Sequence, residues 1–438
     1  MNSKRNAYQS WGRYPRALHQ KIVSITGSSL GFPFDAYQEQ VLAYGRGRSY
    51  GDSCLNEGGI LIDTTGLAKI LAFDPDHGVL RCEAGTTLST ILELIVPEGW
   101  FLPVVPGTQC VTVGGAIAND VHGKNHHRVG TFGCHIRQFE LLRSTGERIV
   151  CSTTENSELY SATIAGMGLT GLITWVELKL NPISGSLITF ERVPFHTLAE
   201  CFSIAETSDR EWDYTVAWLD SGRPGRGIFT RGKFTGNEIR SDKEKAQRRV
   251  RWPFAIPNVL LNRLSIRTLN RLYYQLQSLQ PKNGVTDYHP FLFPLDALAD
   301  WNRVYGQRGF FQYQCVVDHS ERDAIEEIVR RTLRAGLPAT LAVLKAFGEA
   351  KSPGMMSFPR SGITLTLDFP NRGLATLNLL EELDEITLNA KGAVYPAKDA
   401  RMSAQSFQRY FPQWQEFAHF VDPKFSSSFW RRVTVSDP

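Results

Sequence analysis

Glycine and arginine alternate in a short stretch, AYGRGRSYGDS, which begins at Ala43. Its glycines Gly45, Gly47 and Gly51 follow the pattern G-x-G-x-x-x-G, one residue longer than the dinucleotide-binding fingerprint. A dinucleotide loop also opens a helix, whereas only the short stretch 52–58 separates this turn from the next β-like run. A nicotinamide site is therefore poorly supported, and the stretch is either an anion-binding turn or a glycine-rich β-turn with solvated arginines.

A second candidate is the stretch PGTQCVTVGGAIANDVHGKNHHRVGTFGCHI, which begins at Pro106. Gly114 and Gly115 precede a run of small residues that predicts a short helix, and their backbone could approach an anion closely, as in a phosphate cradle. Polar, mostly titratable residues follow at once: His122, Lys124, Asn125, His126 and His127. A metal site is the alternative, but no carboxylates or cysteines accompany them at ligand spacing, so we predict no metal.

The net charge of +4 is too small to predict nucleic-acid binding, but its distribution along the chain is uneven. Residues 240–271 contain nine lysines and arginines and only two acids, mixed with leucines in an amphipathic pattern. Such a segment can lie on an anionic membrane surface or cover a lipid-like substrate. The alternative is a solvated helix and loop, because charged runs are usually ordinary protein surface.

The composition is that of a globular protein of two or three domains, with 438 residues, 42% hydrophobic and 21% charged. No apolar run approaches the roughly 20 residues of a membrane span, and the first residues show no secretory signal. The seven cysteines are scattered and are never spaced as a zinc knuckle. We therefore expect a cytoplasmic protein with free thiols and no structural zinc.

Two kinds of pattern would position these candidates. Residues 35–182 alternate short apolar strands with helices, and Pro182 ends that block. After it, strands are joined by long connections that contain well-spaced helices, which indicates an α+β sheet with helices on one face. The tail from Met402 is helical and rich in aromatic residues.

Longer motifs resemble known flavoproteins. The stretches GRGRSYGD, PGTQCVTVGGAIANDVHGKNHH and GLTGLI (168–173) resemble the FAD-binding half of the vanillyl-alcohol-oxidase superfamily. Later motifs extend the likeness to nearly the whole chain and are most similar to the decaprenylphosphoryl-β-D-ribose 2'-oxidase family: DYHP (287–290), WNRVYG (301–306), GFFQYQ (309–314), LKAFG (344–348), LDFP (367–370) and YPAKDAR (395–401). The resemblance implies an α+β fold of two domains, with residues 1–182 and 393–438 binding FAD and an antiparallel sheet in residues 183–392 binding substrate.

The resemblance also implies a cofactor site, in which the two glycine turns hold the pyrophosphate of FAD. The implied cofactor-binding residues are Tyr44, Gly45, Arg46, Gly47, Arg48, Ser49, Tyr50, Gly51, Gly107, Thr112, Gly114, Gly115, Asn119, Asp120, His122, Ile173 and Tyr395. Relatives that attach flavin covalently often carry histidine where this chain has Arg48. Arginine cannot form that bond, so we expect dissociable, non-covalent FAD.

The implied reaction sends a carbinol hydrogen to FAD while a base takes the hydroxyl proton. Lys398 matches the family's active-site lysine, and we expect His122 and Tyr50 beside it as catalytic residues. A lysine buried against a flavin could have a lowered pKa. From the residues alone, Lys398 could instead form an ordinary salt bridge with Asp399 or Asp368.

Substrate contacts are implied on the predicted sheet. Gln312 and Gln314 lie on one face of a strand, where they would bind sugar or phosphate or else face solvent. The implied substrate-binding residues are Lys124, Tyr288, Gln312, Gln314, Lys345, Thr366 and Lys398. Thr366 departs from the family pattern, because mycobacterial members carry cysteine there, which puts thiol-dependent chemistry at this position in doubt.

The expected function is FAD-dependent oxidation of the 2-hydroxyl of a polyprenylphosphoryl pentose, from ribose to a 2-keto sugar. This is the first half of an epimerisation to arabinose for cell-envelope polysaccharide synthesis, which a separate NAD(P)H-dependent keto-reductase would complete. The alternatives are oxidation of a soluble sugar, polyol or aldonolactone, and a flavin-binding subunit without turnover. The basic segment 240–271 favours the lipid-linked substrate and peripheral contact with the inner face of the plasma membrane.

Overall fold

The computed structural model describes residues 8–27, 31–223, 225–236 and 261–434, together with the backbone of Val250–Arg251. Within these ranges the strands form three larger sheets and two short ladders, and helices cover the sheets, so the fold class is α+β as predicted. The short ladders join β6 (Trp100–Phe101) to β10 (Asn181–Pro182), and β14 (Val250–Arg251) to β16 (Leu298–Ala299).

A three-stranded parallel sheet carries the glycine-arginine turn. Its order is β1-β3-β2, with β1 at Lys21–Ser24, β2 at Val41–Tyr44 and β3 at Ile60–Asp63. The central strand β3 is an apolar run that is buried except at its last residue, as expected for a strand covered on both faces. Since β2 ends at Tyr44, the turn begins at the carboxyl end of a buried strand.

A five-stranded antiparallel sheet follows in the order β4-β5-β9-β7-β8. Its strands are β4 (Ile70–Asp74), β5 (Val79–Glu83), β7 (Ile136–Leu142), β8 (Arg148–Ser152) and β9 (Leu172–Lys179). Helix α1 (Leu88–Ile95) shares its hydrophobic core, and Thr87 caps this helix by accepting a hydrogen bond from the amide of Thr90. Three short helices follow in this half: α2 (Val113–Ala118), α3 (His126–Val129) and α4 (Ser157–Thr163).

An eight-stranded antiparallel sheet has the order β15-β11-β13-β12-β18-β19-β17-β20. Its strands are β11 (Leu187–Phe195), β12 (Tyr214–Leu219), β13 (Gly227–Thr235), β15 (Asn283–Asp287), β17 (Phe310–Val317), β18 (Leu341–Phe347), β19 (Gly362–Pro370) and β20 (Ala393–Val394). The boundary predicted at residue 393 therefore falls on a strand that pairs with β17. The division into two domains stays a prediction.

Alternation along β17 decides which residues face the cavity. Tyr313 points to the helix side, where its hydroxyl lies 2.8 Å from Oγ1 of Thr387 on α9 (Leu374–Asn389). Because successive side chains of a strand point to opposite faces, Gln312 and Gln314 lie on the other face. The other helices packed around this sheet are α5 (Leu198–Ser208), α6 (Arg263–Leu279), α7 (Tyr288–Leu292) and α8 (Arg322–Arg334).

The C-terminal tail returns to the first sheet. It forms α10 (Ala404–Tyr410), α11 (Trp414–Ala418) and α12 (Ser428–Thr434). The amide of Val41 donates to the carbonyl of Lys424, and the amide of Ser426 donates back to the carbonyl of Val41. Arg432 on α12 pairs with Asp52 at 2.7 Å and with Asp399 at 3.0 Å, so the tail holds segment 395–401 against the end of the glycine-arginine turn.

Candidate active site

One cavity of about 380 Å³ lies between the glycine turns and the eight-stranded sheet. Its walls are the turn 45–50, residues 106–115, the segment 395–398 and the cavity-facing side chains of β17, β18 and β19. Most of the residues predicted from the sequence to bind cofactor or substrate lie on this wall: Gly45, Arg46, Gly47, Arg48, Ser49, Tyr50, Gly107, Thr112, Gly114, Gly115, Asn119, His122, Ile173, Gln312, Gln314, Lys345, Thr366, Tyr395 and Lys398.

The first glycine turn presents free backbone donors to the cavity. In the described part of the chain, the amides of residues 46–49 have no hydrogen-bond acceptor. Gly47 has φ +59°, and a Cβ built on it would lie 2.0 Å from the hydroxyl oxygen of Tyr44, so only glycine fits there. Successive free amides at a turn form a concave anion site.

Arg48 adds a cation to these amides. Its guanidinium lies 3.9 Å from the ring centroid of Trp11, and its buried Nε has no partner among the described residues. A buried guanidinium nitrogen without an acceptor is costly, and a bound phosphate would supply the missing acceptor. The residues at this turn therefore fit the pyrophosphate of FAD.

The second glycine turn works differently from the sequence prediction. The amide of Gly114 donates to the carbonyl of Ala84, and the amide of Gly115 donates to Oγ1 of Thr112 at 3.2 Å. Both amides are therefore occupied, and contact of these two glycines with the cofactor stays a prediction. Both glycines lie in the first turn of the six-residue helix α2, where they line the cavity without side chains.

Three residues predicted to touch the cofactor lie behind the cavity wall. Tyr44 donates its hydroxyl to the carbonyl of Gln9 at 2.7 Å and supports the turn from below. Gly51 passes so close to the carbonyl of Asp399 that a Cβ would lie 1.5 Å from it. Gly51 lets the turn contact segment 395–401 directly, because a side chain at this position would push the two backbones apart.

Asp120 is the third of these residues, and it is fully buried. Its carboxylate accepts hydrogen bonds from the amide of Gly133 at 2.9 Å and from the hydroxyls of Ser352 and Ser357 at 2.5 Å each. Burial raises the pKa of this carboxyl group, and the hydroxyl donors oppose the rise. Asp120 thus ties the loop after α2 to the loop before β19 and does not line the cavity.

Lys398 and Tyr50 lie together at the sheet end of the cavity. Nζ of Lys398 is 3.7 Å from the centroid of the Tyr50 ring. Among the described residues no acid lies within ion-pair distance of Lys398, and Asp399 pairs with Arg432 at 3.0 Å. The salt-bridge alternative is therefore not what the structure shows. Burial lowers the pKa of Lys398 to about 7, although Asp368 opposes this shift.

Asp368 lies beneath Gln312, a cavity-facing glutamine of β17. It accepts a hydrogen bond from Nε2 of Gln312 at 2.5 Å and another from the hydroxyl of Tyr305 at 3.1 Å. Burial raises the pKa of Asp368 to about 6, and these two donors limit the rise. The carboxylate thereby fixes the orientation of the Gln312 amide, whose oxygen stays available to the cavity.

His122 is held as a neutral ring. Nε2 of Gln314 lies 2.9 Å from Nε2 of His122, and because an amide nitrogen can only donate, the histidine nitrogen accepts. The ring proton is then assigned to Nδ1, which is buried and has no partner among the described residues. Burial and the nearby Lys345 and His126 hold the pKa of His122 well below its usual range.

The remaining predicted substrate residues divide into two groups. Lys345 and Thr366 line the cavity, and burial lowers the pKa of Lys345 to about 8. Lys124 donates from Nζ to the carbonyls of Phe291 and Leu292. Tyr288 is buried against the ring of Phe101. Neither Lys124 nor Tyr288 lies on the cavity wall, and direct binding of substrate by these two residues stays a prediction.

Sequence reasoning missed several wall residues. Trp11 stacks on Arg48, Val343 on β18 pairs with the predicted residue Thr366 on β19, and Asp296 belongs to a segment that closes one side of the cavity. Asp296 accepts hydrogen bonds from Oγ1 of Thr108 at 2.6 Å and from the amide of Gln109 at 2.9 Å. The period-two pattern of β18 could have indicated Val343, because it lies two residues before Lys345.

The basic segment 240–271 is described only in part. Residues 240–249 and 252–260 lie outside the described residues, and residues 263–271 begin helix α6. Within the ranges that the structure describes, no helix is long and apolar enough to cross a bilayer.

Comparison with known proteins supports FAD as the cofactor. Residues 34–152 match the model of the FAD binding domain family. The chain is 34% identical over 423 residues to the decaprenylphosphoryl-beta-D-ribose oxidase of Mycolicibacterium smegmatis, which covers 90% of this chain and 89% of that protein. Two further relatives match over shorter ranges. A D-lactate dehydrogenase of Anaerostipes hadrus is 28% identical over 151 residues, which covers 33% of this chain and 32% of that protein. The Delta(24)-sterol reductase of Homo sapiens is 30% identical over 155 residues, covering 35% of this chain and 30% of the reductase.

The long match spans 90% of this chain, so it extends well beyond the FAD binding domain at residues 34–152. The protein is a flavoenzyme, with FAD as its cofactor, that oxidises CH–OH groups. The breadth of this match and the fit of the first turn to a pyrophosphate place the chain in the vanillyl-alcohol-oxidase family of FAD-dependent oxidoreductases, to which decaprenylphosphoryl-β-D-ribose oxidase belongs.

Proposed function

We propose that this enzyme oxidises the 2-hydroxyl of a polyprenylphosphoryl pentose to a 2-keto sugar. The proposal is supported by the substrate named for the relative from Mycolicibacterium smegmatis, which is 34% identical to this chain. It is supported independently by one observation: two lysines, Lys398 and Lys345, face the same cavity and have no ion pair among the described residues. Lys398 would take the proton of the sugar hydroxyl, and Lys345 would bind the phosphate.

FAD, when bound, accepts the hydride from the carbinol carbon of the sugar. The hydroxyl proton needs an acceptor on the protein, and Lys398 is suited to this task. With a pKa near 7, a substantial fraction of its Nζ is neutral and basic at physiological pH. The ring face of Tyr50, 3.7 Å from this nitrogen, stabilises the ammonium that forms when the proton arrives.

The sugar would be oriented by groups whose own orientation is fixed. The hydrogen bond to Asp368 fixes the Gln312 amide, so its oxygen can accept a hydrogen bond from a sugar hydroxyl in one direction only. His122 is locked by Gln314, and its Nδ1–H remains as a donor. A side chain that is already held loses little conformational entropy when the substrate binds.

Lys345 is our candidate for the phosphate of the substrate. Its pKa of about 8 keeps it mostly protonated at neutral pH, and burial makes its attraction for an anion stronger than that of a surface lysine. The keto sugar that leaves the site retains its lipid phosphate. A separate keto-reductase using NAD(P)H would deliver hydride to the other face of the carbonyl and complete an epimerisation to arabinose for the cell envelope.

Anaerobic bleaching of the bound flavin tests this function. Polyprenylphosphoryl ribose should bleach the flavin, whereas free ribose, polyols and aldonolactones should not do so at equal concentration. The prenyl-free sugar phosphate separates recognition of the phosphate from recognition of the lipid. Bleaching by an aldonolactone or a polyol, without bleaching by the lipid-linked sugar, would establish the soluble-substrate alternative instead.

A further inference from the structure

Helix α6 (Arg263–Leu279) exposes a stripe of leucines, which we call the leucine stripe: Leu269, Leu272, Leu276 and Leu279. Their exposed fractions are 60%, 51%, 61% and 84%. They follow one another at intervals of three and four residues, so they share one side of the helix. Contiguous exposed apolar side chains of this kind mark interaction surfaces.

The opposite side of α6 is firmly held. Ile266 and Asn270 are buried, and Nδ2 of Asn270 donates to Oγ of Ser221 at 2.8 Å. Asn262 and Ser265 form a capping box at the start of the helix. The helix is therefore packed on the protein through this side, which leaves the leucines on the side that faces solvent.

The charges of α6 are of one sign. The helix contains Arg263, Arg267 and Arg271, all exposed, and no aspartate or glutamate. Within the described ranges none of these arginines pairs with an acid. They occupy the flank between the buried side and the leucine stripe, where they would reach anionic headgroups while the leucines enter the boundary with the acyl chains.

The helix lies on the face of the eight-stranded sheet that forms the cavity wall. Trp218 on β12 pairs with Val343 on β18, which lines the cavity, and paired residues of adjacent strands point to the same face. The ring of Trp218 packs against Tyr273 of α6, with 4.8 Å between centroids. An apolar path thus runs from Val343 through Trp218 to the helix.

We infer that the leucine stripe docks on the surface of an anionic lipid bilayer. The inference deepens the proposed function and rests on it in one respect only, since docking would let a lipid-linked sugar pass from the bilayer to the cavity along that path. A second copy of the chain is a poorer occupant. The stripe spans fewer than the three or four heptads of a stable coiled coil, and no acid on the helix would face the arginines.

Vesicle co-sedimentation of the intact flavoprotein tests docking directly. The double variant Leu272→Gln/Leu276→Gln keeps helix propensity and should bind phosphatidylglycerol-containing vesicles at least about tenfold more weakly than the unmodified protein. The matched control is Leu18→Gln/Leu374→Gln, the same change at two leucines that are 71% and 75% exposed elsewhere on the surface. This control should bind as the unmodified protein does. Both variants should keep the flavin spectrum, which shows that each is folded.

The arginine flank predicts which lipid is preferred. Binding should be weaker on vesicles of phosphatidylcholine alone, and each of the changes Arg263→Gln, Arg267→Gln and Arg271→Gln should weaken binding to anionic vesicles roughly fivefold. Binding of the leucine variant equal to that of the control would overturn the inference. Absence of vesicle binding by the unmodified protein would also overturn the inference. The same holds if the unmodified protein forms a dimer without binding vesicles and the leucine variant is a monomer, because the stripe would then bind a second copy of the chain.

A substrate with a short, water-soluble prenyl chain separates docking from catalysis. The leucine variant should bleach with this substrate at the normal rate but slowly with a long-chain substrate embedded in vesicles. Loss on both substrates would contradict a docking role, since it would place the helix in catalysis. If no prenylphosphoryl sugar bleaches even the unmodified protein, the proposed function fails, and vesicle binding still decides the docking surface by itself.

Discussion

Nζ of Lys398 lies 3.7 Å from the ring centroid of Tyr50, although most of the chain separates these two residues. Their backbones are also joined, because the amide of Tyr50 donates to the carbonyl of Ala397 at 2.8 Å. Tyr50, at the end of the glycine-arginine turn, and Lys398 are therefore fixed to one another. A movement of the turn on binding FAD would move the lysine with it.

The Lys398 nitrogen should act as a base and not only as a positive charge. Lys398→Met and Lys398→Arg should both keep FAD but slow flavin reduction by about two orders of magnitude or more, because neither side chain accepts a proton near neutral pH. Stopped-flow bleaching measures this rate. If Lys398→Arg reduces its flavin at nearly the normal rate, the lysine serves as a cation.

The pH dependence follows from the same group. Burial lowers the pKa of Lys398 to about 7, so below that pH the protonated lysine cannot take the hydroxyl proton. The rate of flavin reduction should therefore rise as the pH increases through about 7 and then level off. In Lys398→Met this rise of the rate with pH should vanish. A rise that persists in the variant would show that another group titrates there.

The pair formed by Gln314 and His122 should matter through orientation. Gln314→Leu removes the donor that holds Nε2 of His122, and one lost hydrogen bond in a buried site costs about 1–3 kcal/mol. We expect flavin reduction to slow by roughly 5- to 150-fold while FAD affinity stays unchanged. Gln314→Glu can reach the same nitrogen, but accepts instead of donating, so the His122 tautomer should change. Imidazole nitrogen shifts in the NMR spectrum would report that change.

FAD should be bound without a covalent bond and should depend on Arg48. Acid precipitation of the purified protein should release intact FAD into the supernatant. Arg48→Ala should weaken FAD binding by roughly ten- to a hundredfold, the range of a lost hydrogen bond to a charged group. Arg137→Ala, at an arginine paired with Glu177 away from the cavity, is the control and should bind FAD normally. Flavin that stays with the precipitate would contradict the non-covalent assignment.

Asp120 should stabilise the fold and not take part in the chemistry. Asp120→Ala leaves the amide of Gly133 and two serine hydroxyls without their acceptor, and we expect the free energy of unfolding to fall by about 3–5 kcal/mol. Asp35→Ala, at an exposed aspartate, should change it by less than about 0.5 kcal/mol. Urea denaturation of the two variants compares them. A normal unfolding midpoint together with lost FAD would return Asp120 to the cofactor site.

Local patterns in the sequence were sufficient for several features of the site. The positive φ of Gly47 follows from a turn that only glycine can make, and the common face of Gln312 and Gln314 follows from the period of a strand. The α+β class follows from the alternation of apolar runs. Each of these features depends on interactions between residues that are close in the chain, so the local sequence is enough to predict it.

Hydrogen-bond partners distant in the chain decided the rest. Lys124 lies in a polar, titratable stretch typical of a binding site, yet its ammonium is occupied by the carbonyls of Phe291 and Leu292. The amides of Gly114 and Gly115 are likewise occupied, one of them by Ala84. No local pattern shows which donors are already paired, because pairing depends on which distant segments the packed core brings within about 3 Å. The sequence alone therefore determined which residue types the site holds, and the tertiary structure decided which of them remain free to bind.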